Sequence, residues 1–517
     1  MTATLSEVVA ALPGARPVAP VAPVVLSDAT HDSRQVRPGW LFCAVVGART
    51  DGHDHAPQAV DQGAAALLVE RALDLDVPQI QVPDVRAAMG PAAAVVHRRP
   101  SQELVVVGTT GTNGKTTVST LLEGAFAAHG VGVGLVGTIE TRIHGEAIPG
   151  VRTTPEGPDL QRLLRHCHDR GVDAVAMEVS SHGLDLHRVD GTRFAVGVYT
   201  NLSQDHLDWH GTMADYLAAK ARLFTPELTQ RGVAFLDGPW AVELLGRCRI
   251  PVTTVGLAGA PDGSGGATPP GAPTPDITLE TVAADTTGSR GRLHGLGEEP
   301  VEISTRLPGG FNLVNAALAV VAAVEAGVPA ATAAAGVAAA EGPSGRLQRV
   351  PAGPGPAVFV DYAHTPDAVS AVLDTLRSTL AAGGRLLVVL GCGGDRDRDK
   401  RGPMGAAAAG ADVAVLTSDN PRGEDPAAIL ATVVAGARDA VAAGAPAELH
   451  VEQDRRAAIG LALAAAAPGD VVLLAGKGHE RVQEFADHTI PFDDAAVAAE
   501  WLAAHGEQQG EHRGAQP

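Results

Sequence analysis

Glycine, lysine and threonine crowd together in VGTTGTNGKTT, residues 107–117. Glycines at 108, 111 and 114 let backbone N–H groups point into one concavity. Lys115 supplies positive charge, and Thr116 offers a hydroxyl to a divalent cation. This is phosphate-binding chemistry, although the usual loop spacing wants a glycine at 109, where Thr109 stands. The candidate phosphate contacts are Gly111, Thr112, Asn113, Gly114, Lys115, Thr116 and Thr117. Further along, Glu178 lies near the end of the apolar run DAVAMEV (173–179), and a strand-end carboxylate can reach a metal held at a phosphate loop. The segment 200–224 brings Asp205, His206, Asp208 and His210 close together, and a helix-like stretch with Lys220 follows. A lone histidine in such a loop more often serves surface hydrogen bonding. Here the cluster follows a strand end beside a phosphate loop.

Those side chains need elements to carry them. The apolar stretch Leu104–Val107 precedes the loop, and helical spacing at Val118, Leu121, Leu122 and Phe126 follows it, so strand, loop and helix are predicted in that order. Three blocks emerge in an α/β chain. Residues 1–99 hold short strands (WLFCAVVG, AAALLVE, QIQVP) between loops rich in Asp, His and Arg. Residues 100–341 alternate strand and helix around the phosphate loop. Residues 342–505 form a second, Rossmann-like set with AVFVDY, GRLLVVLG, ADVAVLTS and GDVVLLAG. Continuous apolar runs of this kind predict parallel strands covered on both faces. The Gly/Pro-rich stretch 258–276 is predicted to be an exposed insertion, and 506–517 a disordered tail.

Composition narrows the classes. A chain of 517 residues exceeds one core, and 45% hydrophobic content is ample for folded domains. Aromatics make up only 3%, so the cores must be built from Val, Leu and Ala. A net charge of −20 argues against nucleic-acid partners and requires local basic pockets or helix N-termini for any anionic substrate. The four cysteines lack metal-ligand spacing and are expected to be reduced thiols. No secretory signal is apparent, and the apolar stretch 316–340 is broken by Glu325, Gly327 and Pro329. A cytoplasmic location, no membrane partner and a monomer are expected.

Taken in order and spacing, GTNGKTT, MEVSSHGL and TNLSQDHLDWHG…Y…AK…LF resemble the Mur ligase family, the ATP-dependent enzymes that add amino acids to peptidoglycan precursors. The family's phosphate loop has this short TGTNGKT form. The resemblance covers roughly residues 26–505. It implies three domains: a UDP-substrate domain (1–99), an ATP domain (100–341) and an amino-acid domain (342–505). It also implies two Mg²⁺ ions held by Thr116, Glu178, His206 and Lys220, with Lys220 carried as a CO₂-derived carbamate. Carbamylation makes physical sense, since a plain ammonium would repel Mg²⁺. By the same resemblance ATP is contacted by Lys115, Asn312 beside Phe311, Arg346 in SGRLQRV and Asp361 in VDYAHTPDAV, with Tyr362 and His364 nearby. Catalysis is expected from Lys115, Glu178, His206, Lys220 and Arg346.

THDSRQVRPGWLFCAVVGART resembles the uridine segment of the family branch that adds the third residue. Ser33, Ala48, Arg49 and Thr50 are its implied nucleotide contacts, and Thr153, Thr154, Ser180 and Arg188 its muramoyl-dipeptide contacts. Arg152 and Leu186 stand where that branch can carry Asn and Gln. Three segments of the last block each follow an apolar strand: GCGGDRDRDKRGPM, TSDNPRGEDP and LLAGKGHE. The implied amino-acid contacts are Arg396, Asp419, Asn420, Pro421, Arg422, Gly476 and Glu480. Arg422 offers a planar fork to a distal carboxylate and would repel the ammonium of lysine, so diaminopimelate is the expected amino acid. Its meso form is expected, although DNPR senses a carboxylate and not its chiral setting. Arg422 could instead serve a structural ion pair. The implied reaction is acyl-phosphate ligation onto UDP-MurNAc-L-Ala-D-Glu. A folylpolyglutamate synthetase would lack the uridine segment and DNPR. A P-loop switch would leave Lys220 and the last block idle.

Overall fold

The computed structural model describes residues 2–19, 23–47, 50–148, 152–258, 273–351 and 355–511, with side chains described to residue 505. The chain divides into two compact units. One comprises Met1–Glu280, Arg292–Ile303 and Val314–Ala339; the other comprises Thr281–Gly291, Ser304–Leu313 and Ala340–Pro517.

Two larger sheets lie in the first unit, beside a short antiparallel pairing of Ala3–Thr4 with Val25–Leu26. Near the N-terminus, Asp28–Thr30, Trp40–Cys43, Ala66–Val69 and Gln79–Gln81 pair in parallel in that order, and Arg16–Pro17 closes one edge antiparallel. The helix Val85–Val96 covers this sheet, its start capped by the Asp84 side chain on Ala87 N–H. In the larger sheet the strand Val105–Thr110 is central, with Ala174–Glu178 on one side and Phe194–Tyr199 on the other, both parallel to it. Val133–Val136 lies beyond the first neighbour, and Thr229–Phe235 then Val252–Leu257 lie beyond the second. Among the described residues of this stretch, antiparallel pairing is confined to the edge, where Thr141–Ile143 pairs with Val133–Val136 on one side and Glu146–Ile148 on the other. Parallel order puts the carboxyl ends of Val105–Thr110, Ala174–Glu178 and Phe194–Tyr199 on one rim, where α/β sites form.

The second unit carries a sheet ordered Gln348–Arg349, Ala357–Asp361, Val471–Ala475, Leu386–Cys392, Val413–Ser418, Glu448–Val451, parallel except for its first strand. The inner strands are buried along both faces, which is why they read as unbroken apolar runs. With few aromatics, helices must approach closely to fill the core. In the first unit the helices Lys115–Ala128 and Ala330–Ala339 do so: at Gly336 a methyl group would stand 2.4 Å from the Gly124 carbonyl oxygen, so the two helices touch through backbone.

The final helix, Asp494–Glu511, runs into the segment expected to be a disordered tail, while 512–517 lie outside the described residues. Of the expected insertion, 259–272 likewise lie outside them. Cys43, Cys167 and Cys392 are buried free thiols and Cys248 is partly buried, also free. Burial pushes the first three up to about 12.

Candidate active site

The phosphate loop ends Val105–Thr110 and opens the helix Lys115–Ala128, as expected. Its shape depends on two glycines. Gly111 has φ +151°, and a Cβ there would lie 1.9 Å from Thr200 Oγ1. Gly114 has φ +86°, and a Cβ there would lie 2.5 Å from Asn315 Oδ1. Neighbouring strand ends hold the loop from outside. Asn201 Oδ1 accepts from Asn113 N–H at 3.0 Å, and Thr112 Oγ1 lies 3.2 Å from both Ser203 O and Tyr216 Oη. Lys115 Nζ donates to the carbonyls of Gly111 and Thr112, each at 2.9 Å, which keeps its charge over the loop. Thr116 is half-buried and Thr117 buried. Asn315 belongs beside this loop and was missed, although it lies three residues past Asn312.

Glu178 ends its strand fully buried. Its two oxygens accept from Thr138 N–H at 2.7 Å and Thr138 Oγ1 at 2.9 Å. With its one proton on Glu178, Thr138 Oγ1 accepts from Thr153 Oγ1 at 3.0 Å, which joins the carboxylate to Thr153. Thr154 Oγ1 accepts from Ser180 N–H at 3.0 Å and donates to Glu178 O at 3.0 Å. Ser180 caps a short helix through Gly183 N–H. Arg188 donates to Thr154 O at 3.3 Å and pairs with buried Glu156 at 3.0 Å. Arg152 and Arg86 reach the same Glu156. Thr138 and Glu156 were also missed. Thr138 follows the strand beside that of Glu178, so the strand-end logic used for Glu178 could have found it.

Lys220 sits on the helix Met213–Ala221 and is 1% exposed. Its Nζ stands 4.2 Å from the centroid of the Tyr216 ring. Burial, reinforced by Lys115, drives its pKa well below the usual lysine value. A neutral amine is the form that reacts with CO₂. His206 has left-handed backbone (φ +52°) and is half-exposed, 3.4 Å from Asp205. It joins His182, His210, Trp209 and Tyr216 in a ring cluster, in which burial lowers the pKa of His182 and His210. Among the described residues no three His, Cys, Asp or Glu side chains are grouped to hold a metal. Mg²⁺ keeps several waters and binds through one or two carboxylates plus substrate phosphates, so the Glu178 carboxylate and Thr116 hydroxyl fit it, and Lys220 fits it once its amine is converted to a carbamate with oxygen donors.

In the uridine segment, Ser33 is buried and donates to Gln58 at 2.9 Å, within a short turn capped by Asp32. Thr50 O accepts from Gly47 N–H at 2.9 Å; Ala48 and Arg49 lie outside the described residues.

The remaining candidates lie in the second unit, several of them just past strand carboxyl ends. Asp361 accepts from Leu347 N–H at 2.7 Å and Ala363 N–H at 2.8 Å, and burial raises its pKa. Arg346 lies over the Tyr362 ring at 5.1 Å, and that ring packs with His364 and His479. A Cβ on Gly345 would lie 2.2 Å from the backbone of Gly478, so the Arg346 segment is pressed against KGHE. Phe311 is half-exposed near the start of Gly310–Glu325, while buried Asn312 donates to Pro308 O at 2.9 Å.

Asp419, Asn420 and Pro421 are buried just after Val413–Ser418. Asn420 Nδ2 donates to Glu480 at 2.6 Å, and Gly476 faces Asp419 Oδ2, which a Cβ would meet at 3.3 Å. Burial raises the pKa of Asp419. Arg422 Nε pairs with Glu484 at 2.7 Å and Nη1 donates to Gly394 O at 3.0 Å. The ion pair considered from sequence therefore exists. Arg396 is exposed on the loop after Leu386–Cys392. Glu484 and Lys477 were missed.

Fold and site together define a P-loop α/β protein with a second, Rossmann-like sheet whose loops carry paired acidic and basic side chains. Three family models match consecutive stretches: the Mur ligase family catalytic domain over 28–100, the Mur ligase middle domain over 109–323, and the Mur ligase glutamate ligase domain over 345–478. A Streptomyces avermitilis protein named UDP-N-acetylmuramoyl-L-alanyl-D-glutamate--2,6-diaminopimelate ligase is 46% identical over 477 residues, 91% of each chain. A solved structure with the same name superposes with a TM-score of 0.72 at 31% identity, covering 98% of this chain and 100% of that one. The chain belongs to the Mur ligase family. Folylpolyglutamate synthase from Mycobacterium tuberculosis, at 22% identity, TM-score 0.56 and covering 78% of this chain and 91% of that one, shares the fold alone. No helix among the described residues is long and apolar enough to cross a membrane.

Proposed function

We propose that this chain is the ATP-dependent ligase that joins 2,6-diaminopimelate to UDP-MurNAc-L-Ala-D-Glu in peptidoglycan precursor synthesis. One observation carries the amino-acid reading: Arg422 and the Asn420–Glu480 pair, of opposite charge character, lie in loops that follow parallel strands of one sheet. A substrate with both a distal carboxylate and ammonium groups suits that chemistry; lysine lacks the carboxylate.

In the reaction the terminal carboxylate of UDP-MurNAc-L-Ala-D-Glu takes the γ-phosphoryl group of ATP, and ADP leaves. The diaminopimelate amine attacks the acyl phosphate, loses its proton, and phosphate departs from the tetrahedral intermediate. Lys115 and the loop N–H groups stabilise phosphate charge. Thr153, Thr154, Ser180 and Arg188 orient the muramoyl-dipeptide, and Ser33 and Thr50 its uridine part. Asn312, Arg346 and Asp361 serve ATP. Thr116, Glu178, His206 and a carbamylated Lys220 would hold two Mg²⁺ ions, whose chemistry is to neutralise phosphate and carboxylate oxygens. The three blocks 1–99, 100–341 and 342–505 divide the work as UDP-substrate, ATP and amino-acid domains. The enzyme works as a cytoplasmic monomer on the meso isomer.

Phosphate release is measured with ATP, Mg²⁺ and UDP-MurNAc-L-Ala-D-Glu, in parallel with meso-diaminopimelate, LL-diaminopimelate, L-lysine and no amine. Release with the meso isomer alone is expected. Release with lysine instead overturns the pocket chemistry, and release with none overturns the ligase.

A further inference from the structure

The amino-acid loops contain a cation that no substrate contact explains. Lys477, in the glycine-flanked turn after Val471–Ala475, is 0% exposed. Its Nζ donates to Val482 O at 2.6 Å and Asn420 Oδ1 at 3.1 Å, and stands 3.5 Å from both Glu480 Oε2 and Asp419 Oδ1. Burying an ammonium this deeply is costly unless its donors are used, and here they are.

The contacts have a direction. Asn420 Oδ1 accepts from Lys477 Nζ and also from Glu484 N–H at 3.0 Å. With its oxygen held by two donors, the amide must turn Nδ2 the other way, toward Glu480 Oε2 at 2.6 Å. Lys477 thereby fixes both the amide orientation of Asn420 and the position of the Glu480 carboxylate. The charges also count. Arg455 and Asp494 are fully buried and pair through two hydrogen bonds, cancelling each other. Lys477 then faces two carboxylates, Asp419 and Glu480, leaving one net negative charge for a substrate ammonium to meet.

We propose that Lys477 is a positioning residue of the amino-acid subsite, orienting Asn420 and Glu480 and setting the single negative charge that receives a diaminopimelate ammonium. This rests on the ligase reading above.

Steady-state kinetics on the full chain test it, with Lys477→Met, Lys477→Arg, Glu480→Gln and the Lys477→Met/Glu480→Gln double variant. For Lys477→Met the KM for diaminopimelate should rise about tenfold or more, with kcat and the KM for ATP within about twofold. Lys477→Arg should recover part of that loss. Glu480→Gln should cost less in the Lys477→Met background than in wild type, because the two side chains act through one constellation. Equal rises in both KM values, a loss confined to kcat, or strictly additive variants overturn the proposal. Should Lys477→Met not fold, the double variant, which removes both charges, decides: a KM matching Glu480→Gln supports the assignment, and a further tenfold rise overturns it. Wild-type turnover is measured first. Its absence sinks the ligase reading and this assignment together, whereas normal wild-type turnover with an unmoved KM in Lys477→Met sinks this assignment alone.

Discussion

The amine of Lys220 stands over the ring of Tyr216, 4.2 Å from its centroid, inside a part of the fold that excludes water. The ring face offers partial negative charge but no hydrogen-bond acceptor of carboxylate strength. Burial and the nearby Lys115 both favour the neutral amine. That pairing suits a lysine that reacts with CO₂ better than one that stays an ammonium. Lys220→Ala is expected to lower kcat about 10²–10³-fold while ATP binding stays measurable. Lys220→Arg, a cation that forms no carbamate, should be equally impaired. Full activity in either variant removes Lys220 from the metal site.

The phosphate loop should be intolerant at a position that looks innocuous in sequence. Gly111→Ala places a methyl group 1.9 Å from Thr200 Oγ1 on a left-handed backbone, so the loop must shift. Since Thr200 also anchors Asn113 O, the shift spreads through the N–H groups that receive phosphate. Titration calorimetry should show ATP affinity reduced about tenfold or more, with the thermal midpoint changed by only a few degrees. Unchanged affinity would mean that the loop geometry described here is not the one that binds nucleotide.

Much of this was open to reading before any coordinates. The loop, Glu178 and the DNPR segment each follow an apolar strand, and parallel strands bring their carboxyl ends to one rim by topology alone. Lys220 was different: helical spacing gave it no distinction, and only the family pattern singled it out. What escaped were partners supplied by distant chain. Thr138 meets Glu178 from 40 residues away, and Glu484 meets Arg422 from 62. Such pairs depend on strand order and on a hairpin, Val482–Glu484 with Thr489–Pro491, that carries no motif. Lys477 lies inside LLAGKGHE, noted for Gly476 and Glu480, and Asn315 three residues past Asn312. Periodicity gives which face a residue occupies, not which side chain will meet it.

On the proposed function, Arg422 is the residue that chooses the amino acid. Glu484 and Gly394 O already hold Nε and Nη1, so its guanidinium is pre-oriented before substrate arrives. Arg422→Met should raise the KM for diaminopimelate about 30–100-fold through loss of a charge-assisted contact. Lysine, which gains nothing from that contact, should be affected far less, so the ratio of kcat/KM values narrows. Equal losses for both amines would assign Arg422 to the Glu484 ion pair alone.

Glu424 gives the pocket an acid limit. One oxygen accepts from Arg401 at 2.8 Å and from Asp395 N–H at 2.7 Å; the other meets Arg398 at 3.0 Å. Hydrogen bonds from Arg401, then from Asp395, hold its pKa near 2, down from 4.5. A carboxyl depressed on folding stabilises the native state fully above its unfolded value and loses that contribution as pH falls through the folded one. The window is therefore pH 4.5 down to about 2. Glu424 lies two residues past Arg422, so the same bonds tie the loop before Arg401 to the DNPR loop. Glu424→Gln should unfold at lower temperature than wild type at pH 7, and the gap should close progressively between pH 4.5 and 2. It should also raise the KM for diaminopimelate, because Arg401 is buried and loses its carboxylate partner. Thermal midpoints measured across that range decide the matter: a gap that stays constant with pH would mean that Glu424 contributes shape and not charge.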